Sequence, residues 1–257
     1  MLHFLLKPRA KNIAHRYIRT IAEEKDYFWI RFHGLDDGLA WPTVYPLSDL
    51  FQVVAETFDR SDWHRYTCWC TPVCDDDIVV DIGAAEGLFA LSVVRRCRRV
   101  FVIEPNPVFM LSLQQTYRTF PKDKVVLIPC AVGKEEGNVE LCSHSISSAV
   151  QPSRLGSVAM RSLDHIFPEP ERVTFIKADL EGYEMDMLQS ARNLIRRCRP
   201  KMAIACYHQA NNAEDMARFV TSLVPQYRYF IKGITQFDGK PVMIHFWISE
   251  REMCKKA

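Results

Sequence analysis

One stretch restricts the fold more than any other. In IVVDIGAAEGLFAL, residues 78–91, an apolar strand closes on Asp81, turns through Gly83 and Gly87, and enters a helical run. A strand that turns tightly into a helix is the opening unit of an open α/β sheet, where the glycines admit a close backbone approach and the helix start offers unpaired N–H groups. Further apolar strands follow at VFVIE, KVVLIPCAV, VTFIKA, KMAIACYH, YRYFI and MIHFWI, with helical runs over 86–97, 107–119, 182–197 and 213–224 between them. This alternation predicts a Rossmann-like α/β fold, a mostly parallel seven-stranded sheet with helices on both faces.

The second strand, VFVIEP, ends in Glu104, about twenty residues beyond the first turn, where an acid typically accepts hydrogen bonds from ribose hydroxyls. The first loop, Gly83-Ala84-Ala85-Glu86-Gly87, lacks the full G-x-G-x-x-G pattern and carries Glu86 where a pyrophosphate would sit. A carboxylate there repels phosphate. A nucleoside bearing an ammonium and a sulfonium suits the loop better, and S-adenosylmethionine is such a ligand.

FIKADLEGYE, residues 175–184, places Lys177, Asp179 and Glu181 on one face at a strand's period of two. At the carboxyl end of a parallel strand that face looks into the ligand crevice, and Gly182 allows the sharp exit into a helix. A Lys177–Asp179–Glu181 ion-pair ladder that merely fixes the turn is the structural alternative. His208, in YHQANN, follows the next strand at the same sheet edge.

These stretches, with PCAVG, SLDHIF, IKADLEGYEMDMLQSARNLI and RPKMAIACYH, resemble the FkbM family of S-adenosylmethionine-dependent methyltransferases, in the family's order and over roughly residues 50–248. Leu180 stands where the family commonly has Val, and Ala178 where Ile or Val is more usual. The resemblance implies that Asp81, Gly83, Ala84 and Gly87 line the methionine end of the cofactor. It places Glu104 on the ribose, Asn106 nearby, Ala131 beside the adenine and Asp179 at the closing edge of the pocket. It also implies O-methylation of a hydroxyl on a glycan, glycolipid or small metabolite. His208, with an ordinary imidazole pKa near 6.5, is then the expected general base. Asp179 would orient cofactor and acceptor, and Glu181 would be held by Lys177. An RNA methyltransferase is one alternative, although Asp179-Leu180-Glu181-Gly182 replaces the Asn/Asp-Pro-Pro turn of exocyclic-amine enzymes. A non-catalytic binding protein on the same fold is the other.

Residues 1–46 fall outside the resemblance and read as an N-terminal helical extension, helical over 1–26 and irregular over 27–46 apart from a short strand at YFWIRF. The methyltransferase domain is assigned to 47–257, starting with a helix capped by Ser48. Residues 138–163 read as a hairpin insertion with a serine-rich tip. The acceptor pocket is expected from the 143–157 part of it and from the N-terminal region. Lys7, Arg9, Lys11, Arg16 and Arg19 occur without an acid, and a solvated helix is favoured over a targeting segment or weak membrane-surface contact.

The net charge of +2 demands no polyanionic partner, and the basic runs at 95–99 and 196–201 close helices, where the dipole favours cations. No nucleic acid is therefore expected. Nine cysteines without a signal-peptide pattern point to free thiols and a cytoplasmic location. Cys68, Cys70 and Cys74 beside His64 have a C-x-C-x3-C spacing foreign to common zinc sites, so no metal is assigned. The family resemblance implies that Trp63, His64 and Tyr66 form a lid or wall near the cofactor.

Overall fold

The computed structural model describes residues 10–144, 147–152, 158–208, 212–235 and 238–249. Its centre is a seven-stranded sheet built from β4 (Ile78–Ile82), β5 (Arg99–Ile103), β6 (Val125–Ile128), β11 (Phe175–Ala178), β12 (Lys201–Ala205), β13 (Arg228–Ile234) and β14 (Pro241–Trp247). The order is β13-β14-β12-β11-β4-β5-β6. β6, β5, β4, β11 and β12 run parallel, and β14 runs antiparallel to both β12 and β13. The central strands β4, β5, β11 and β12 are buried, and their alternation divides two cores. Val79, Val100, Val102, Phe175 and Ala203 face one core, while Val80, Ile82, Ile103, Ile176 and Ile204 face the other.

The first core is covered by α3 (Leu88–Val93), α4 (Pro107–Thr116) and α2 (Leu47–Phe58). The second is covered by α5 (Leu163–Ile166), α6 (Glu184–Ser190), α7 (Arg192–Cys198) and α8 (Ala213–Leu223). Two buried lysine–aspartate pairs tie strands together at opposite sheet edges. At the amino ends, Lys201 Nζ lies 2.6 Å from Asp77 Oδ2. At the carboxyl ends, Lys177 Nζ lies 3.0 Å from Asp81 Oδ1, across the registered pair of β11 and β4.

Several boundaries differ from the sequence reading. After a short helix α1 (Ala10–Ala14), the N-terminal segment is an antiparallel meander of β1 (Ile18–Glu23), β2 (Tyr27–Phe32) and β3 (Gly38–Pro42), not a helical extension. The strand expected at YFWIRF is β2. The meander is built into the first core through Ile30, Leu39 and Trp41, and the Ala40 N–H donates to Thr116 Oγ1 on α4. The helix expected over 182–197 breaks at Ala191 into α6 and α7. The cap expected at Ser48 falls instead on Pro46, which has no side chain to bond the first turn.

KVVLIPCAV is also divided. Pro129, with no N–H to donate, ends β6, and β7 (Ala131–Val132) joins a different sheet. That four-stranded sheet has the order β7-β10-β8-β9, with β8 (Gly137–His144) and β9 (Ser147–Pro152) forming the expected hairpin and β10 (Val158–Arg161) returning beside it. The hairpin tip at 145–146 and the 153–157 part of the expected acceptor wall lie outside the described residues, as do Lys7 and Arg9.

Candidate active site

A cleft opens at the carboxyl ends of β4, β5 and β11, where the sheet's loops diverge. Its floor is the turn after β4, in which Gly83, Ala85 and Gly87 all have positive φ, at 65°, 47° and 83°. Gly83, Ala84, Ala85 and Glu86 line the cleft, facing Glu104, Pro105, Ala131, Asp179 and Glu181. One wall comes from α2, through Gln52, Val53, Glu56 and Thr57, which the sequence reading did not single out. Their signal was faint, because an amphipathic helix shows which face is apolar but not what its rim overlooks.

Glu104 is buried and directed at the floor. Its Oε2 accepts the Ala85 N–H at 2.8 Å and its Oε1 the Asn106 N–H at 2.8 Å. A carboxylate offers about four lone-pair sites, so two backbone donors leave capacity for a ligand. Burial raises its pKa to about 7, against the lowering effect of those two N–H groups. Glu86 is likewise raised to about 7 by burial.

Other residues expected to touch the cofactor also have structural duties. Asp81 is fully buried beneath the floor and paired with Lys177, whose Nζ also donates to the Gly83 carbonyl at 2.7 Å. Gly87 caps α3, and a Cβ on it would meet Leu113 Cδ2 at 2.5 Å, so its missing side chain serves the packing of α4. Asn106 caps α4 by accepting the Val108 N–H and donates to the Tyr45 hydroxyl. Gly83 does line the cleft, but a Cβ there would lie 2.0 Å from the Asp179 carbonyl oxygen. The glycine is needed for the contact between two loops.

The Lys177–Asp179–Glu181 ladder, the structural alternative, gives way to a different arrangement. Lys177 faces Asp81 and lies under the Tyr66 ring at 4.9 Å. Tyr66 donates its hydroxyl to Asp179 Oδ2 at 2.6 Å, and the same pair of burial and carboxylate charge raises the Tyr66 pKa. Tyr66 thus forms the wall expected of it. His64 lies 3.5 Å from Asp62 and 3.7 Å from Glu56, an acid that lines the cleft. Trp63 packs against Gly233.

Asp179 Oδ1 lies 3.7 Å from His208 Nε2, Glu181 Oε2 lies 3.3 Å from the same nitrogen, and Glu184 Oε1 lies 2.7 Å from His208 Nδ1. Gly182, at φ 111°, makes the expected sharp exit, and Glu181 is itself left-handed at φ 52°. Glu184 closes that turn by accepting the Leu180 and Gly182 N–H groups.

This surrounding changes the chemistry of His208. Burial disfavours its charge, but the Glu181, Glu184 and Asp179 carboxylates outweigh burial and raise its pKa to about 10. At neutral pH the ring is an imidazolium with no lone pair to accept a proton, so the expectation of an unperturbed general base is corrected. Burial also raises the Asp179 pKa, despite the opposing charges of Lys177 and His208.

Of the cysteines, Cys68, Cys70, Cys97, Cys130, Cys198 and Cys206 are free, whereas Cys74 is disulfide-bonded. The expectation of free thiols throughout fails at Cys74. Among the described residues, no helix is long and apolar enough to cross a membrane.

The parallel sheet with its antiparallel β14, and an acid-lined cleft at the carboxyl ends of its first strands, define the Rossmann-like methyltransferase fold. Residues 81–231 match the model of the methyltransferase FkbM domain, more than half of the chain, and the protein belongs to that family. It is 24% identical over 148 residues to "Methyltransferase 1" of Beauveria bassiana (strain ARSEF 2860), which covers 46% of this chain and 59% of that protein. It is also similar to the crystal structure of methyltransferase FkbM from Methylobacillus flagellatus KT. There the TM-score is 0.55 at 20% identity, covering 93% of this chain and 58% of that one. The chain thus spans less than two thirds of the length of either relative.

Proposed function

We propose that the protein transfers a methyl group from S-adenosylmethionine to a hydroxyl of a glycan, glycolipid or small metabolite. The observation that carries this reading is the charge of the cleft. Glu56, Glu86, Glu104, Asp179 and Glu181 line it, and its one lining lysine, Lys177, is already paired with Asp81. Such a site suits a ligand carrying an ammonium and a sulfonium, and opposes a pyrophosphate or a nucleic-acid backbone.

When bound, the cofactor supplies an electrophilic methyl group that needs no further activation. The chain's own residues then bind and orient. Glu104 would hold the ribose hydroxyls with its spare lone pairs, and Cys130, Ala131 and Val132 would wall the adenine. The fixed backbone of the Gly83–Gly87 turn, held from below by Lys177, keeps the floor in place. Asp179 and Glu181 present the carboxylate oxygens that would orient an acceptor hydroxyl. Tyr66 fixes Asp179 through Oδ2, and charged His208 holds both acids at the rim. Positioning of this kind can supply most of the acceleration for a displacement at an already reactive methyl.

Glu104→Ala is expected to weaken binding of S-adenosylhomocysteine by about 1.5–3 kcal/mol, the worth of hydrogen bonds to a charged acceptor. Isothermal titration calorimetry on the folded variant measures it. Unchanged affinity would reject the cofactor assignment, and with it the proposed reaction.

A further inference from the structure

We propose that Asp179, Glu181 and His208 form a divalent-cation site at the rim of the cleft, with Glu184 as the carboxylate behind the histidine. The expectation of no metal came from the cysteine spacing alone. Asp179, Glu184 and His208 present ligand atoms within 4.8 Å of one another. The contacts then give the acids different roles.

Glu184 is already occupied. Its Oε1 meets the Leu180 N–H and His208 Nδ1, and its Oε2 accepts the Gly182 N–H. An ionised carboxylate only accepts, so Nδ1 must carry the hydrogen in that 2.7 Å contact. Glu184 therefore fixes the tautomer and leaves Nε2 as the outward nitrogen. A carboxylate on the far nitrogen is the usual support of a metal-binding histidine.

Nε2 points at the two remaining acids. The His208 side chain is 8% exposed, and both Nε2 and Asp179 Oδ1 are buried without a hydrogen-bond partner. Around a small divalent ion with bonds of about 2.0–2.2 Å, neighbouring ligand atoms lie about 2.8–3.6 Å apart, from octahedral to tetrahedral geometry. The 3.3 Å separation of Nε2 from Glu181 Oε2 falls in that interval, and the 3.7 Å separation from Asp179 Oδ1 needs only a slight closure. Two carboxylates and one imidazole suit a first-row divalent ion such as manganese(II) or iron(II) better than a thiolate-loving one. On binding, the Nε2 proton leaves to solvent and the cation takes its place between the acids.

Asp179 and Glu181 line the cleft, so a cation there stands beside the acceptor's place and can take an acceptor oxygen as a further ligand. This last point rests on the methyl-transfer reading, whereas the site itself does not. It favours acceptors with an oxygen pair, such as a sugar diol, over an isolated alcohol.

The test uses the full chain freed of metal with EDTA and titrated with manganese(II), free ion being read by electron paramagnetic resonance. One ion per chain is expected to bind. Glu181→Gln should weaken that binding by about tenfold or more, as should His208→Gln. Exposed Glu135→Gln should bind as the unaltered chain does. Circular dichroism checks the fold, and if His208→Gln fails to fold, Glu181→Gln decides, since that side chain is 33% exposed. Absence of saturable binding, or equal affinity in a folded Glu181→Gln, overturns the site. S-adenosylhomocysteine titrated into the same samples separates the two readings. Nucleoside binding without manganese binding defeats the cation site alone, and manganese binding without nucleoside binding defeats the methyl-donor reading alone.

Discussion

Lys177→Met is expected to cost about 3–5 kcal/mol of folding stability, because it leaves Asp81 charged, fully buried and unpaired. The lysine does more than neutralise one acid. It also donates to the Gly83 carbonyl, so its loss frees the cleft floor as well as the β4–β11 pair. Urea unfolding followed by circular dichroism measures the change. The double variant Lys177→Met with Asp81→Leu should recover most of it, since replacing both members of a buried pair with apolar groups is often nearly neutral. A single-variant loss below about 1 kcal/mol, as for a surface pair, would show that the charge is not truly desolvated.

Gly83→Ala carries the second large effect. The residue has φ 65°, which costs an L-amino acid roughly 1–2 kcal/mol. The added Cβ would sit 2.0 Å from backbone oxygen, a contact no side-chain rotation can relieve. Overpacking adds about 1–3 kcal/mol, so a total of about 2–5 kcal/mol is expected from the same urea experiment. Cofactor affinity should fall too, because the turn must move away from Asp179 to accommodate the methyl group. A variant as stable as the unaltered protein would mean that the two loops are not held in contact.

The difference between these two residues shows what a sequence can disclose. The strand–turn–helix of residues 78–91 and the acid closing β5 were legible because each is local, and they locate the cleft. The same local pattern could not separate Gly83, which lines the cleft, from Gly87, which makes room for Leu113 on another helix. Nor could it show that Asn106 caps a helix while its neighbour Pro105 lines the site.

The meander was missed for a related reason. In β1 only Ile18 is buried, so the strand carries no alternation of polarity to announce itself. The charge state of His208 was hidden most deeply. It depends on acids 24 to 29 residues earlier, brought to its ring by the turn between β11 and α6, and an isolated imidazole pKa was the wrong starting point. The local signal named the residues at the cleft edge, and the tertiary contacts determined their protons.

The position of β14 has a consequence for how this protein is made. Among the described residues, β13 pairs with the central sheet only through β14, and β14 itself fills the gap between β12 and β13. During synthesis, β13 therefore emerges before it has any strand to pair with, and β12 keeps an open edge until residues 241–247 arrive. An unpaired edge beside exposed apolar side chains is a template for wrong pairing between chains. A ribosome-stalled chain ending near residue 235 should recruit chaperones strongly, and one extended past residue 249 should release them.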